Sequence, residues 1–194
     1  MLALEQRIIA EGRNLGQGIL KVDSFVNHQV DPQLMAACGK EFAHLFADRN
    51  PTKILTAEIS GIAPALMTAL ALNIPVVYAR KTKPVTMPDT VFLTTAPSHT
   101  KKHDVEIMAS PEYLQAGERV LIIDDFLATG QTILALARIA RAAGAEVVGV
   151  GALIEKTFEG GRAALKSLGV PVRSLALISD MRGGQITFLH TEPD

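Results

Sequence analysis

Asp124 and Asp125 stand directly after four branched apolar residues, Val120, Leu121, Ile122 and Ile123, and ahead of Phe126, Leu127 and the small, hydroxyl-bearing run Ala128, Thr129, Gly130, Gln131, Thr132. Ionised, the two carboxylates accept hydrogen bonds only, which suits the donor groups of a ligand. The turn that follows fits a phosphate monoester. Its backbone amides and the hydroxyls of Thr129 and Thr132 donate, while Ala128 and Gly130 keep the wall low enough for close approach. A helix cap alone needs one side-chain oxygen, whereas this segment carries two acids and two hydroxyls.

The apolar run before the acids needs cover on both faces, as a central parallel strand does, and the two carboxylates appear where that strand should end. Ile133, Leu134, Leu136, Ala137, Ile139 and Ala140 recur at helical spacing, so the turn opens a helix whose first free amides and positive dipole end face the carboxyl edge of the sheet. Other elements alternate around this unit. A first helix spans roughly Leu2 to Gly12, and a glycine-broken stretch leads through Leu20 to His28. Asp31 and Pro32 supply the cap and first-turn proline of a second helix reaching about Ala47. Lys53 to Ala57 reads as the first sheet strand, Glu58 to Gly61 as a turn, Ala63 to Leu72 as a helix stopped by Asn73, and Pro75 to Ala79 as a second strand. Two short strands, Thr90 to Thr95 and Asp104 to Ala109, flank the polar stretch Pro97 to Lys102, which suits a mobile hairpin tip. A buried strand from Glu146 to Ile154, a helix from Glu159 to Leu168 and late strands near Val172 to Ile178 and Gln185 to His190 complete the chain. The order predicts an α/β fold in one domain over residues 1–194, with right-handed crossovers and a parallel sheet flanked by helices.

Composition narrows the class. The 194 residues are 48% hydrophobic and carry a net charge of −1, which gives no electrostatic case for a nucleic-acid or membrane partner. Residues 1–14 include Glu5, Arg7, Glu11 and Arg13 and lack the apolar core of a signal peptide. No apolar run approaches a membrane span, so a cytoplasmic protein is expected. Cys38 is the single cysteine, which excludes an intramolecular disulfide, and it reads as a helix packing residue. His28, His44, His99, His103 and His190 are scattered without metal-ligand spacing, so no protein-held metal is expected.

The segment from Val120 to Thr132 resembles the phosphoribosyl pyrophosphate signature of type I phosphoribosyltransferases: a hydrophobic strand, two acids, two spacers, a small residue, Thr, Gly, any residue, and Thr or Ser. The resemblance implies the fold of that family, a central parallel sheet with a small hood, here from residues 1–30 and about 156–194, and a flexible loop at the hairpin tip. It also implies the reaction. Ribose C1 loses magnesium-bound pyrophosphate while a base nitrogen adds through an oxocarbenium-like transition state, which calls for positioning, charge stabilisation and exclusion of water. Asp124 and Asp125 would then hold the ribose 2- and 3-hydroxyls and residues 128–132 the 5-phosphate. Glu58, Ile59, Ser60 and Gly61 resemble the loop whose amides receive pyrophosphate, although Ser60 equally suits a helix cap. Arg80 and Lys81 match basic residues that face pyrophosphate, and equally a charged strand exit. Mg2+ arrives on the substrate, and a homodimer is implied. Ala128 departs from the hypoxanthine-guanine members, which carry Asp there, and agrees with the adenine members, so the identity of any general base stays open.

Over essentially the whole chain the resemblance is to the bacterial xanthine phosphoribosyltransferases. It is carried by Leu20 to Phe25, Asn27, His28 and Gln29, by Ser60 to Pro64, by Arg80 and Lys81, and by Ile154, Glu155 and Lys156. It implies that Leu20, Asn27 and Lys156 contact xanthine. Lys156 only donates, which suits the 6-oxo group of xanthine, guanine or hypoxanthine and disfavours the amino group of adenine. The Asn27 amide can face a 2-oxo or a 2-amino group, so only the resemblance selects xanthine. Leu20, through its backbone or as an apolar lid, and Phe126, against the base face, read equally as core residues. The expected function is transfer of the phosphoribosyl group to xanthine, giving XMP and pyrophosphate. The alternatives are guanine or hypoxanthine as the base, and a non-catalytic sensor of phosphoribosyl pyrophosphate like the purine repressors that reuse this fold. No winged-helix extension or strongly basic segment precedes the domain to support that last alternative.

Overall fold

Runs of consecutive branched residues build a sheet buried on both sides. In chain order the computed structural model, which describes residues 1–97 and 104–190, contains α1 (Leu2–Glu11), β1 (Arg13–Asn14), β2 (Leu20–Lys21), α2 (Pro32–Leu45), β3 (Lys53–Ala57), α3 (Ile62–Leu72), β4 (Val76–Ala79), β5 (Phe92–Pro97) and β6 (Asp104–Ala109). It continues with β7 (Arg119–Leu127), α4 (Gln131–Ala142), β8 (Glu146–Lys156), α5 (Gly161–Leu165), β9 (Val172–Asp180) and β10 (Thr187–Leu189). Six strands form one sheet in the order β10-β9-β8-β7-β3-β4, parallel throughout except for the antiparallel edge strand β10. Val120 and Ile122 of β7 pack with α4, whereas Leu121 and Ile123 pack with α1, α2 and α3. All four are fully buried, which is the two-faced cover that the run demands.

Several local choices follow from single residues. Asp31 Oδ1 accepts from the amides of Gln33 and Leu34, each at 3.0 Å, and closes the N-terminus of α2 as expected of a capping aspartate. Its Oδ2 lies 2.9 Å from Arg7 Nη1 of α1, which stacks over Phe25 at 5.9 Å. Asn73 ends α3 in the left-handed region at φ 54°. The N-terminal segment is tied to β9 and the stretch after it: the Met1 amine donates to Leu175 O, and the Asn14 amide donates to Met181 O and Gln185 O. Cys38 is buried on α2, and burial pushes its thiol up to about 12, so it packs and does not react at neutral pH.

Three expectations need correction. β7 does not stop before the acids but runs on through Asp124, Asp125 and Phe126 to Leu127, because its ladder with β8 continues to Leu127 and Glu155. The segment from 159 to 168 is not one helix. It is a 3-10 turn Thr157–Glu159, the short α5 and a 3-10 turn Lys166–Leu168, since Gly160 adopts φ 77° and glycine pairs weaken a helix interior. The first hairpin strand is Phe92–Pro97 and not Thr90 to Thr95. The glycine-broken stretch forms the β1–β2 ribbon and a π-helical turn Asp23–Asn27. Residues 98–103, with His99, Lys101, Lys102 and His103, lie outside the described residues.

α2 and α3 meet at Gly39, where a Cβ would lie 2.6 Å from Met67 O and 2.7 Å from Met67 Cβ. Gly39→Ala therefore forces the helices apart and is expected to lower stability by about 1–3 kcal/mol. The measurement is the urea midpoint at constant slope, and an unchanged midpoint would mean that the two backbones have room to separate.

Candidate active site

The carboxyl edge of the sheet opens into a cavity of about 920 Å³. The turn after β7, residues 128–132, lines it together with Asp124, Asp125 and Phe126 from the strand itself. From elsewhere in the chain come Leu20, Asn27, Lys81 and Lys156. The volume is within the range of small-molecule sites.

Asp124 is the unusual group. β3 leaves the β7 ladder at Ile122, so the acids that follow are paired with β8 on one side and have no strand beside them on the other. Asp124 is 6% exposed, and its Oδ1 accepts from the Asp125 amide at 3.0 Å. Burial pushes its carboxyl well above the usual range, the neighbouring Asp125 charge adds to the rise, and Lys81 opposes it. Room for this carboxylate depends on Gly61. A Cβ there would overlap Thr56 Oγ1 and lie 2.7 Å from Asp124 Oδ1. Thr56 Oγ1 is itself buried and without a hydrogen-bond partner.

The start of α4 carries no side-chain cap. Gly130, at φ 78°, has no side chain to cap α4, and the first α4 bond runs from the Leu134 amide to Gly130 O at 2.9 Å. The amides of Gln131, Thr132 and Ile133 therefore lack an intrahelical carbonyl and sit beside the cavity at the positive end of the helix dipole.

Lys156 Nζ pairs with Glu159 Oε1 at 3.2 Å and lies 5.5 Å over the Phe126 ring. Leu20 is buried in the core and reaches the cavity as well, and Asn27 is exposed at the end of the π-helical turn. Sequence reasoning missed Gln17, Gly18 and Ile19, on the turn between β1 and β2, and Phe158 and Glu159, just beyond β8. The Gly16-Gln17-Gly18 string, all at positive φ, is a hairpin signal that could have placed the first group.

The basic and small residues divide. Lys81 lines the cavity and donates its amide to Glu58 Oε1 at 2.6 Å. Arg80 pairs with Glu58 Oε2 at 2.6 Å, stacks over Tyr78 and lines a separate cavity of about 380 Å³. Ser60 does not cap α3, whose N-cap is Gly61. Both stand in the turn beside Asp124, which also contains a cis Glu58–Ile59 peptide, and not among the residues lining the large cavity. Among the described residues no group of three His, Cys, Asp or Glu side chains could hold a metal ion.

The position of Asp124 sets a pH dependence. A folded chain whose carboxyl titrates above 3.8 still binds a proton that the unfolded chain has released. Its contribution is most favourable at acid pH and is lost as pH rises from the ordinary carboxylate value through the raised one. Asp124→Asn removes the ionisation and keeps an acceptor for the Asp125 amide. Without ligand, this variant is expected to have a higher denaturation midpoint than the wild type at pH 7, with the advantage disappearing near pH 4. Equal midpoints across that range would contradict the burial cost.

Comparison with known proteins agrees with this architecture. The sequence profile of the phosphoribosyl transferase domain matches residues 28–181. The chain is 52% identical over 189 residues to a xanthine phosphoribosyltransferase of Leuconostoc mesenteroides, across 97% of this chain and 100% of that one. A xanthine phosphoribosyltransferase of Deinococcus deserti is 53% identical over 184 residues, 95% of each chain. The crystal structure of adenine phosphoribosyltransferase from Thermoanaerobacter pseudethanolicus superposes with a TM-score of 0.74 at 25% identity, over 90% of this chain and 98% of that one. Since the profile runs from just before α2 through β9 and takes in the acid pair and the turn after it, the chain belongs to the phosphoribosyltransferase family.

Proposed function

We propose that the chain is a purine salvage enzyme that transfers the 5-phosphoribosyl group of phosphoribosyl pyrophosphate to xanthine, giving XMP and pyrophosphate. The observation that carries this reading is that one cavity brings together the acid pair, the uncapped turn of α4, Asn27 and Lys156. The relatives named xanthine phosphoribosyltransferase, about half identical over nearly the whole chain, support the choice of base.

In the reaction a purine nitrogen bonds to ribose C1 while the bond from C1 to the pyrophosphate oxygen breaks, and its electron pair leaves with pyrophosphate. Asp124 and Asp125 accept from the ribose 2- and 3-hydroxyls and set negative charge beside the developing oxocarbenium. Residues 128–132 anchor the 5-phosphate. Lys81 and the turn holding Ser60 and Gly61 face pyrophosphate, whose Mg2+ comes with the substrate; the acid pair offers the hard oxygen donors that such an ion accepts. Phe126 and Leu20 pack on the purine, Lys156 donates to the 6-oxo group and Asn27 faces C2. A homodimer acting in the cytoplasm, and a single domain with a hood from residues 1–30 and about 156–194, belong to the same reading. Among the described residues no helix is long and apolar enough to cross a membrane. Guanine and hypoxanthine share the 6-oxo group, so Lys156 alone leaves them as the second reading.

Pyrophosphate release with each purine in turn tests the function, and the expected order places xanthine first. Asp124→Asn with Asp125→Asn is expected to cost on the order of a hundredfold or more in turnover while the chain stays folded. Asn27→Asp sets an acceptor against the 2-oxo group and offers a partner to a 2-amino group. The xanthine-to-guanine ratio of kcat/KM should then fall on the order of a hundredfold. An unchanged ratio with unchanged affinity for phosphoribosyl pyrophosphate would mean that Asn27 does not read C2.

A further inference from the structure

Glu155 is 1% exposed near the end of β8, a placement that a carboxylate tolerates only when paired and hydrogen-bonded. Its Oε1 accepts from Arg162 Nε at 2.9 Å, and its Oε2 accepts from Arg162 Nη2 at 2.7 Å and from Ser174 Oγ at 2.6 Å. Arg162 Nη1 donates in turn to Val172 O at 3.1 Å. One forked pair thus joins the end of β8 to α5 and to β9.

The chain between the two partners is what makes the pair consequential. Lys156, Phe158 and Glu159 lie between them and all line the cavity, so Glu155 and Arg162 close the base of a loop that carries its purine-end wall. Lys156 is the neighbour of Glu155 in the strand and takes its position from it. On the other side, Arg162 follows Gly161, which packs directly on the turn after β7. A Cβ at Gly161 would overlap Ala128 O and lie 2.6 Å from Leu127 Cδ1, and a Cβ at Gly130 would meet Gly161 O at 3.1 Å. α5 is therefore the back wall of the turn that opens α4.

We propose that the buried Glu155–Arg162 pair is a positioning clip, which holds the Lys156–Glu159 segment against the purine and α5 against the phosphate turn, so that breaking it loosens both ends of the substrate together. The two ligands are those of the function proposed above. The guanidinium is required for its planar fork and not for charge alone, because it makes two parallel bonds to Glu155 while a third nitrogen holds β9.

Arg162→Lys keeps the charge and loses the fork. Its KM for xanthine is expected to rise on the order of tenfold, and the Kd of phosphoribosyl pyrophosphate, measured by calorimetry without purine, several-fold, since small misplacements of positioning groups are costly. The xanthine-to-guanine ratio should stay near the wild-type value, because Lys156 serves the oxygen that both purines share. Glu155→Gln, which leaves Arg162 buried without a counter-charge, is expected to lose more, on the order of a hundredfold in kcat/KM. If it fails to fold, Arg162→Lys decides alone. A folded Arg162→Lys chain with a lower urea midpoint and both constants unchanged would overturn the clip and leave a merely structural pair. Movement of only one constant would overturn the coupling of the two ends. Wild-type turnover of another purine but not xanthine would instead overturn the proposed base, and the same two constants, read with that purine, would still test the clip.

Discussion

The rest of the structure is arranged around one costly placement, a carboxylate buried beside a second carboxylate at the end of the central strand. Removing Asp124 from water raises its affinity for a proton, and the Asp125 charge next to it raises it further. Nothing in the protein core needs this. The strand itself makes it possible, because β7 extends past its partner β3 while its bonds to β8 continue to Leu127, so the acids ride on a backbone held from one side only. Thr56 Oγ1, buried without a partner close to the same glycine, is a second underserved polar atom in the same place. Buried polar groups are ordinarily satisfied, and exceptions gather where a ligand completes the hydrogen bonding. On the proposed function, stability and activity are therefore opposed at Asp124.

Holding that placement requires layers that approach more closely than side chains allow. Gly61 leaves room for the Asp124 carboxylate, Gly161 lets α5 rest on the Ala128 carbonyl, and Gly39 lets α2 and α3 touch backbone to backbone. The first two are walls of the cavity's surroundings, and the third sets the helix that begins at the Gly61 turn. Where a larger side chain at any of them would push an element outward, the displacement would reach the site directly. Ion pairs then fix what the glycines bring close: Arg7 joins α1 to the Asp31 cap, Glu58 ties the turns after β3 and β4, and Glu155 with Arg162 ties β8 to α5.

Local chemistry made much of this legible in the sequence. The run from Val120 to Ile123 announced a strand covered on both faces, Asp31 with Pro32 announced the start of α2, and Asn73 announced the end of α3; each depends on neighbouring residues alone. The segment from 159 to 168 was misread because its apolar spacing suits a helix, while the left-handed turn at Gly160 and the seat of Gly161 on Ala128 are set by packing. The acids were taken to end β7 because polar residues usually end a buried strand, yet the ladder with β8 carries on beneath them. Arg80 was open between a pyrophosphate-facing residue and a charged strand exit, and the fold sets it against Glu58 and Tyr78. Glu155 carried no signal of its own beside Lys156, since its partner lies seven residues on and its hydroxyl donor, Ser174, comes from the next strand. Glu159 and Gln17 escaped notice for the same reason: they join the cavity because the β1–β2 turn lies near the segment after β8, and not through a motif.

The orientation of the nucleotide in the cavity is the central claim, and a crystal structure of the XMP complex measures it most directly. The account predicts the 5-phosphate on the amides of residues 129–132, the ribose hydroxyls on Asp124 and Asp125, and the purine between Phe126 and Leu20 with its 6-oxo oxygen at Lys156 and its C2 side toward Asn27. A phosphate bound away from the turn before α4, or a purine whose 6-oxo oxygen points away from Lys156, would contradict it.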